Sequence, residues 1–117
     1  MTTTADPRAL EHPARDRIRL EDVLHALADA VRLRIVRDLA GEGAELSCSD
    51  FDLPVTKSTT THHFRVLRES GVVRQAYRGT AKLNTLRRDD LDALFPGLLD
   101  AVLAASAAQD GRGGAAV

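Results

Sequence analysis

The sequence has few aromatic residues and only one cysteine. It contains no tryptophan, one tyrosine and three phenylalanines, so leucine, valine, isoleucine and alanine must fill its core, which suits packed helices. The lone cysteine, Cys48, cannot form an internal disulfide. No apolar run near the start resembles a secretory signal, and none elsewhere is long enough to cross a membrane. We therefore expect a cytoplasmic protein with no membrane partner.

The motifs of common enzymes are also missing. The sequence has no glycine-rich phosphate loop, no nucleophile beside a suitable base and no pair of carboxylates at a defined spacing. We therefore expect a protein without enzymatic activity.

The chain lacks a large net charge, but its charges are segregated. The formal net charge is -1, yet residues 57–88 contain eight lysines or arginines and a single acid, Glu69. The segments on either side are acidic. Such asymmetry favours a region that faces a polyanion within an otherwise acidic protein. Charge alone also allows a solvated basic face that binds nothing.

The length allows one small domain but not two. The chain has 117 residues, of which 44% are hydrophobic. Residues 1–17 are polar and lack periodicity, and residues 109–117 end in small side chains, so a flexible arm and a flexible tail are predicted there. The domain itself is predicted to span residues 18–108.

Apolar spacing predicts two helices at the start of the domain. Residues 20–27 place four apolar side chains at i, i+3, i+4 and i+7, which is the pattern of a first helix. Asp29 is a good N-cap for a second helix, which is predicted to stop at Gly41. Residues 47–52 can form only a short third helix, because Pro54 biases the residue before it away from the helical region.

The stretch from residue 58 to residue 71 predicts a helix with two different faces. At 100° per residue, one stripe holds Thr60, Phe64 and Leu67, while the opposite face is polar. His63 lies at the edge of the apolar stripe and is predicted to be packed and hydrogen-bonded. Together with the preceding short helix and turn, this helix makes a helix-turn-helix whose polar face is suited to DNA.

The remaining elements complete a winged-helix pattern. Residues 72–77 and 81–86 are β-capable runs that predict a hairpin, with Gly79 at its tip. Residues 91–103 carry a leucine-rich helical stripe, in which Pro96 either begins a second helical piece or kinks one helix. In this order, the elements describe a mainly α fold with a small β-hairpin, which is a winged helix-turn-helix.

Two segments resemble the ArsR/SmtB family of repressors. Residues 27–36, LADAVRLRIV, resemble the family signature LADPTRLRIL, and residues 58–73 resemble the family's recognition helix. The resemblance covers about residues 20–104. It implies a dimeric winged helix-turn-helix that acts as a homodimeric transcriptional repressor, binds double-stranded DNA at an inverted repeat and leaves the DNA when an effector binds.

Nine polar residues are the candidate DNA contacts. They are Lys57, Ser58, Thr59, Thr61, His62, Arg65, Arg68, Arg78 and Lys82. Arg65 is the best candidate base reader, since a guanidinium can grip a guanine edge with two hydrogen bonds. Lys57 and Ser58 can hold a phosphate at the helix N-terminus. Arg78 and Lys82 lie on the predicted hairpin, which is the wing of the fold, and are predicted to contact DNA from there. Glu69, on the same face, is predicted to lie beyond the phosphates or to pair with Arg65.

The first and last helices are the predicted dimer surface, because the resemblance implies that these helices form the interface. The candidate interface residues are Leu20, Val23, Leu24, Leu27, Leu94, Leu98, Leu99, Val102 and Leu103. We expect the later stripe to serve partly as core and partly as dimer surface.

The sequence does not identify the effector that the protein would sense. Many members of the resembled family bind thiophilic metals through a segment reading ELCVCD, but residues 45–50 here read ELSCSD, so only Cys48 is present. No cofactor is predicted, while weak nickel, cobalt or zinc binding through carboxylates stays open. Cys48 is predicted to be inert, with a redox role as the alternative. Two further alternatives are a metal- or redox-responsive regulator with an atypical site and a protein-interaction module built on the same scaffold.

Overall fold

The structure is a computed structural model that describes residues 9–42, 45–51 and 53–115. The first eight residues of the predicted arm and the last two of the predicted tail lie outside this range. Five α-helices and a three-stranded antiparallel sheet make up the fold. The sequence-predicted winged helix-turn-helix is confirmed.

Two helices open the domain as predicted. Helix α1 spans Leu20–Leu27 and helix α2 spans Ala30–Glu42. The Asp29 carboxylate accepts hydrogen bonds from the backbone N–H groups of Val31 and Arg32, at 2.9 and 3.0 Å. Asp29 therefore caps α2, as its residue type predicts. Gly41 does not end the helix, which continues to the next residue.

Of the short third helix predicted over residues 47–52, the described residues form only one 3-10 turn. Strand β1, Leu46–Ser47, is followed by a single 3-10 turn at Cys48–Asp50. The turn closes locally, because the Asp50 carboxylate accepts a hydrogen bond from the Ser47 backbone N–H at 2.7 Å. Leu46 and Ser47 pair with the later hairpin, so Ser47, which the sequence pattern assigned to the helix, has a long-range partner instead.

The helix predicted to face DNA and the hairpin follow the predicted order. Helix α3 spans Lys57–Glu69, strand β2 Val73–Arg78 and strand β3 Ala81–Leu86, with sheet order β1-β3-β2. Arg78 pairs with Ala81 across a tight turn, in which Gly79 has a φ of +64°. An L side chain rarely adopts this φ, which explains the glycine at the tip.

The last stripe forms two helices rather than one kinked helix. Helix α4 spans Arg88–Leu94 and helix α5 spans Leu98–Ala115, and their axes differ by 110°. Pro96 lies in the break, beside Gly97 with a φ of +81°. Residues 109–115 of the predicted tail are helical, because they continue an alanine-rich helix that an Arg37–Asp110 ion pair ties to α2.

The described end of the predicted flexible arm is docked on the sheet. The Gln75 backbone N–H donates to His12 Nε2 at 3.0 Å, and Arg87 donates to the Pro13 carbonyl at 2.8 Å. Arg15 donates to the Asp90 carboxylate at 2.7 Å. His12 thus occupies an N–H on the outer edge of β2, an edge that would otherwise be open. Sequence composition missed this, because polar arm residues serve here as partners for the sheet.

The core lies where α1, α2, α3 and the sheet meet. Its buried apolar residues include Ile35, Leu39, Phe64, Leu67 and Val72. No single helix in the described ranges is long and apolar enough to cross a membrane, although the bent pair α4 and α5 together passes a test of length and composition. The core holds the back of α3, so the position of the opposite face is set by packing.

Candidate nucleic-acid interface

Helix α3 presents a polar face to solvent. Lys57, Ser58, Thr61, His62 and Arg65 are all exposed on it. Among the described residues, Arg65 has no ion-pair partner, so the predicted alternative of a pair with Glu69 is not formed. The guanidinium of Arg65 is therefore available to an external acceptor.

The start of α3 is organised by Thr56, a residue that the sequence reading did not single out. The Thr56 hydroxyl accepts a hydrogen bond from the Thr59 backbone N–H at 3.3 Å and also contacts the Thr59 and Ser58 hydroxyls. Thr61 donates its hydroxyl to the Lys57 carbonyl at 3.0 Å. A threonine just before a polar run is a recognisable N-cap signal. Thr59 and Thr61 are thus exposed but already engaged within the first turns.

The buried side of α3 is tied to α2 by a charged cluster. His63 is only 8% exposed, and its Nδ1 lies 3.1 Å from Arg32 Nη1 and 3.8 Å from the Asp29 carboxylate. Arg32 also donates to the Ala26 carbonyl at 2.7 Å. The prediction that His63 is a packed, hydrogen-bonded residue is confirmed. Sequence pattern did not reveal Arg32, because an arginine in a helix is usually solvated.

Burial and charge shift the titration of this cluster. Burial is the main cause that lowers the pKa of His63 below its ordinary value, and the Arg32 cation adds to it against the opposing pull of Asp29. Burial disfavours the Asp29 carboxylate, but hydrogen bonds from the Arg32 and Val31 backbone and the charges of Arg32 and His63 together lower its pKa. The cluster therefore favours a neutral histidine beside an ionised aspartate.

Arg68 differs from the other predicted contacts on α3. Its Nη1 donates to the Gln75 side chain at 2.7 Å, and its Nε is buried with no hydrogen-bond partner among the residues that the structure describes. Gln75 in turn donates to the Asn84 side chain at 2.8 Å, and Asn84 donates to Cys48 Sγ at 3.3 Å. The structure thus places Arg68 behind the exposed face, in contact with the sheet.

Gln75 and Asn84 are functional-site neighbours that the sequence reading missed. Both are buried, at 2% and 0% exposure, and they link the wing to α3 and to Cys48. Strand alternation contains a signal for Gln75, since it shares the inward side of β2 with Val73. A polar residue at such a position predicts a buried hydrogen-bond partner.

The wing carries both predicted cations beside the α3 face. Arg78 is exposed and forms an ion pair with Glu45 at 3.0 Å. Lys82 lies partly buried, with its Nζ 5.5 Å from the centre of the Tyr77 ring. The Arg78 pair is exposed and weak, so an incoming phosphate can compete for the guanidinium.

The predicted dimer residues divide into two groups. Val23, Leu27 and Leu99 are buried in the core of the single chain, so almost none of their surface is exposed to a second copy. Leu20 and Leu24 are 43% and 44% exposed, and they are the large apolar residues that the described chain leaves in solvent. The other four candidates are half-buried against the core: Leu94, Leu98, Val102 and Leu103.

Metal-ligating side chains do not converge in the described ranges. No group of three or more histidine, cysteine, aspartate or glutamate side chains there could hold a metal ion. The network around Cys48 contains amide and guanidinium groups rather than further thiolates or carboxylates.

Comparisons with known proteins agree with this geometry. Residues 27–76 match a family described as a helix-turn-helix domain. An uncharacterized HTH-type transcriptional regulator of Bacillus subtilis (strain 168), YceK, is 36% identical over 87 residues, which cover 73% of this chain and 86% of that protein.

Two solved structures extend the comparison to the fold. An ArsR-like transcriptional regulator from Rhodococcus sp. RHA1 is 25% identical, with a TM-score of 0.55 over 83% of this chain and 87% of that one. A possible transcriptional regulator for arsenical resistance is 28% identical, with a TM-score of 0.54 over 71% of this chain and 94% of that one.

Proposed function

This chain belongs to the ArsR family of helix-turn-helix transcriptional regulators, and on that premise we propose that it is a homodimeric repressor of an inverted-repeat operator. The observation that carries the proposal is the exposed polar face of α3, on which Arg65 lies beside the basic wing and has no ion-pair partner in the described part of the chain. A helix of this shape enters the major groove, and a dimer presents two such helices about one DNA turn apart.

The roles of individual side chains follow from where they lie. Arg65 and His62 project from the middle of α3 and would meet base edges, whereas Lys57 and Ser58 at its start would meet a phosphate. Arg78 and Lys82 on the wing would hold the adjoining backbone. Arg68 would act indirectly, because its hydrogen bond to Gln75 holds α3 against the sheet.

The dimer is supported by the exposed leucines of α1. Leu20 and Leu24 lie one turn apart on the same helix and leave apolar surface in water, which a second copy would cover. The half-buried residues of α5, Leu98 and Val102 among them, would extend this surface. Release by an effector belongs to the same proposal.

A DNA-binding experiment tests the proposal. Fluorescence anisotropy with a duplex from the promoter region of the chain's own operon should give an affinity on the order of 10 nM that falls steeply as salt rises. Arg65→Ala should weaken binding, whereas Arg112→Ala, an exposed arginine near the end of α5, should not. Equal affinities for these two variants would contradict the assignment of the reading face.

Oligomeric state is tested separately. Sedimentation analysis should show a dimer for the wild type and a monomer for Leu24→Asp, because a carboxylate at the exposed position cannot be buried without a partner. A wild-type monomer at micromolar concentration would overturn the dimer. Binding of a protein partner rather than any duplex would instead favour the interaction module.

A further inference from the structure

A groove runs between α3 and the wing, the β2–β3 hairpin. It has a volume of about 920 Å³ and is bounded by α3, the β2–β3 hairpin and the turn at Cys48. Sites for small molecules typically measure about 300–1,000 Å³. The groove is therefore large enough for a small organic ligand.

The floor of the groove is apolar. Phe51, Leu53, Val55 and Phe64 contribute to it, and the rings of Phe51 and Phe64 meet edge to face with centres 5.3 Å apart. Phe51, Leu53 and Val55 are only half-buried by the protein itself. Their exposed portions leave apolar area that a ligand could cover.

The walls of the groove are positively charged. They contain Lys57, Arg65, Arg68 and Lys82, and none of the described residues that line the groove is a carboxylate. Arg68 also has the buried Nε for which the described ranges hold no hydrogen-bond partner. Four cations among the described lining residues, with no carboxylate among them, favour an anionic occupant.

We propose that this groove binds an amphipathic organic anion, namely an apolar ring or short chain that carries one carboxylate or sulfonate. The cations alone would also suit a DNA phosphate. The apolar floor distinguishes the two occupants, because a phosphate gains nothing from Phe51 and Leu53, whereas an aromatic acid buries its ring there. The anionic group would then lie against the cationic walls.

This ligand class supplies an effector for the proposed repressor, and in that respect the inference rests on the proposed function. Lys57, Arg65 and Lys82 line the groove and are also proposed DNA contacts. A bound anion neutralises these charges and fills the space between α3 and the wing. Ligand and operator therefore exclude each other.

A matched pair of fluorescent probes tests the site. The probes are 8-anilino-1-naphthalenesulfonate and its uncharged counterpart N-phenyl-1-naphthylamine, titrated against the full chain. The sulfonate should bind more tightly than the neutral probe. Lys57→Gln combined with Lys82→Gln should weaken binding of the sulfonate roughly fivefold, as expected when solvent-screened charge pairs are lost. The affinity for the neutral probe should stay unchanged.

Two further variants control for folding and for other apolar surfaces. Arg112→Gln removes a cation outside the groove and should leave both probes unaffected. Val55→Glu should weaken binding of the sulfonate more than binding of the neutral probe, since it adds a carboxylate to the floor of the groove. Equal binding of the sulfonate to the wild type and the double variant would overturn the site, because the probe would then lie elsewhere, for example on Leu20 and Leu24.

Competition separates the ligand site from the repressor function. Duplex DNA that binds the wild type should displace the sulfonate. If the groove variants weaken sulfonate binding as expected but no duplex binds the wild type, the groove site stands and the DNA proposal fails. If DNA binds while the sulfonate ignores the groove variants, the groove inference fails and the DNA proposal stands.

Discussion

The two faces of α3 use the same residue types in opposite ways. His62 is exposed, while its neighbour His63 is buried beside Arg32, although their ring centres are only 5.9 Å apart. Arg65 has no ion-pair partner within residues 9–42, 45–51 and 53–115, while Arg68, one turn later, donates a hydrogen bond to Gln75. Side-chain chemistry alone therefore does not assign a role. The face on which a residue lies decides whether its polar group is available to DNA or is used to hold the helix.

The largest expected difference between the faces is in packing. Phe64→Ala should lower the free energy of unfolding by about 3–5 kcal/mol, because Phe64 is fully buried in the core. Thr61→Ala on the exposed face should change it by less than about 0.5 kcal/mol. Chemical denaturation followed by circular dichroism measures both. A small effect of Phe64→Ala would show that α3 is not held by its apolar stripe.

The two arginines give the next contrast. Arg68→Ala should cost about 1–3 kcal/mol of stability, since it leaves buried Gln75 without its hydrogen-bond donor. Arg65→Ala should leave stability unchanged and weaken operator binding by about 1–3 kcal/mol, the usual value of a bidentate base contact. Denaturation and anisotropy on the same samples separate the effects. If both variants lose only affinity, Arg68 is a direct contact after all.

Variants of Asp29, the N-cap of α2, test whether the cluster of Asp29, Arg32 and His63 behind α3 contributes to stability. Asp29→Ala should lower stability by about 0.5–2 kcal/mol, because the backbone N–H groups of Val31 and Arg32 lose their acceptor. Asp29→Asn retains a capping oxygen and should lose less. An equal loss for the two variants would assign the effect to the charge rather than to the cap.

The smallest contrast concerns pH. The pKa of His63 is lowered in the folded state from its ordinary value of 6.5, so the folded protein binds fewer protons there than the unfolded chain. The stabilising contribution is complete above the unfolded pKa and is lost as the pH falls through the folded pKa. His63→Gln should reduce the loss of stability between neutral and mildly acidic pH, which chemical denaturation at a series of pH values measures.

His12 makes a contribution of the same sign. Burial lowers its pKa, and the Arg74, Arg87 and Arg68 cations lower it further, although a hydrogen bond with the Leu10 backbone opposes them. Protonation of Nε2 would also remove the acceptor for the Gln75 backbone N–H. Part of the pH dependence should therefore survive in His63→Gln and disappear in a variant that also carries His12→Gln.

Sequence pattern was reliable wherever a short stretch fixed its own geometry. The spacing of Leu20 to Leu27 located α1, Asp29 located the start of α2, and the strand runs around Gly79 located the hairpin. Prediction failed where a residue has its hydrogen-bond partner far away in the sequence. Ser47 pairs with β3 instead of joining the predicted helix, and His12 has its partner on β2, 63 positions later in the chain.

The sequence by itself determined the order of elements, the basic segment and the two-faced helix, because hydrophobic periodicity and charge are local properties. Only the tertiary structure decided that Arg68 turns inward, that Gln75 and Asn84 join the wing to α3, and that four cations surround one groove. These features depend on contacts between α3, β2 and β3. Spacing along one element does not determine which groups meet across several.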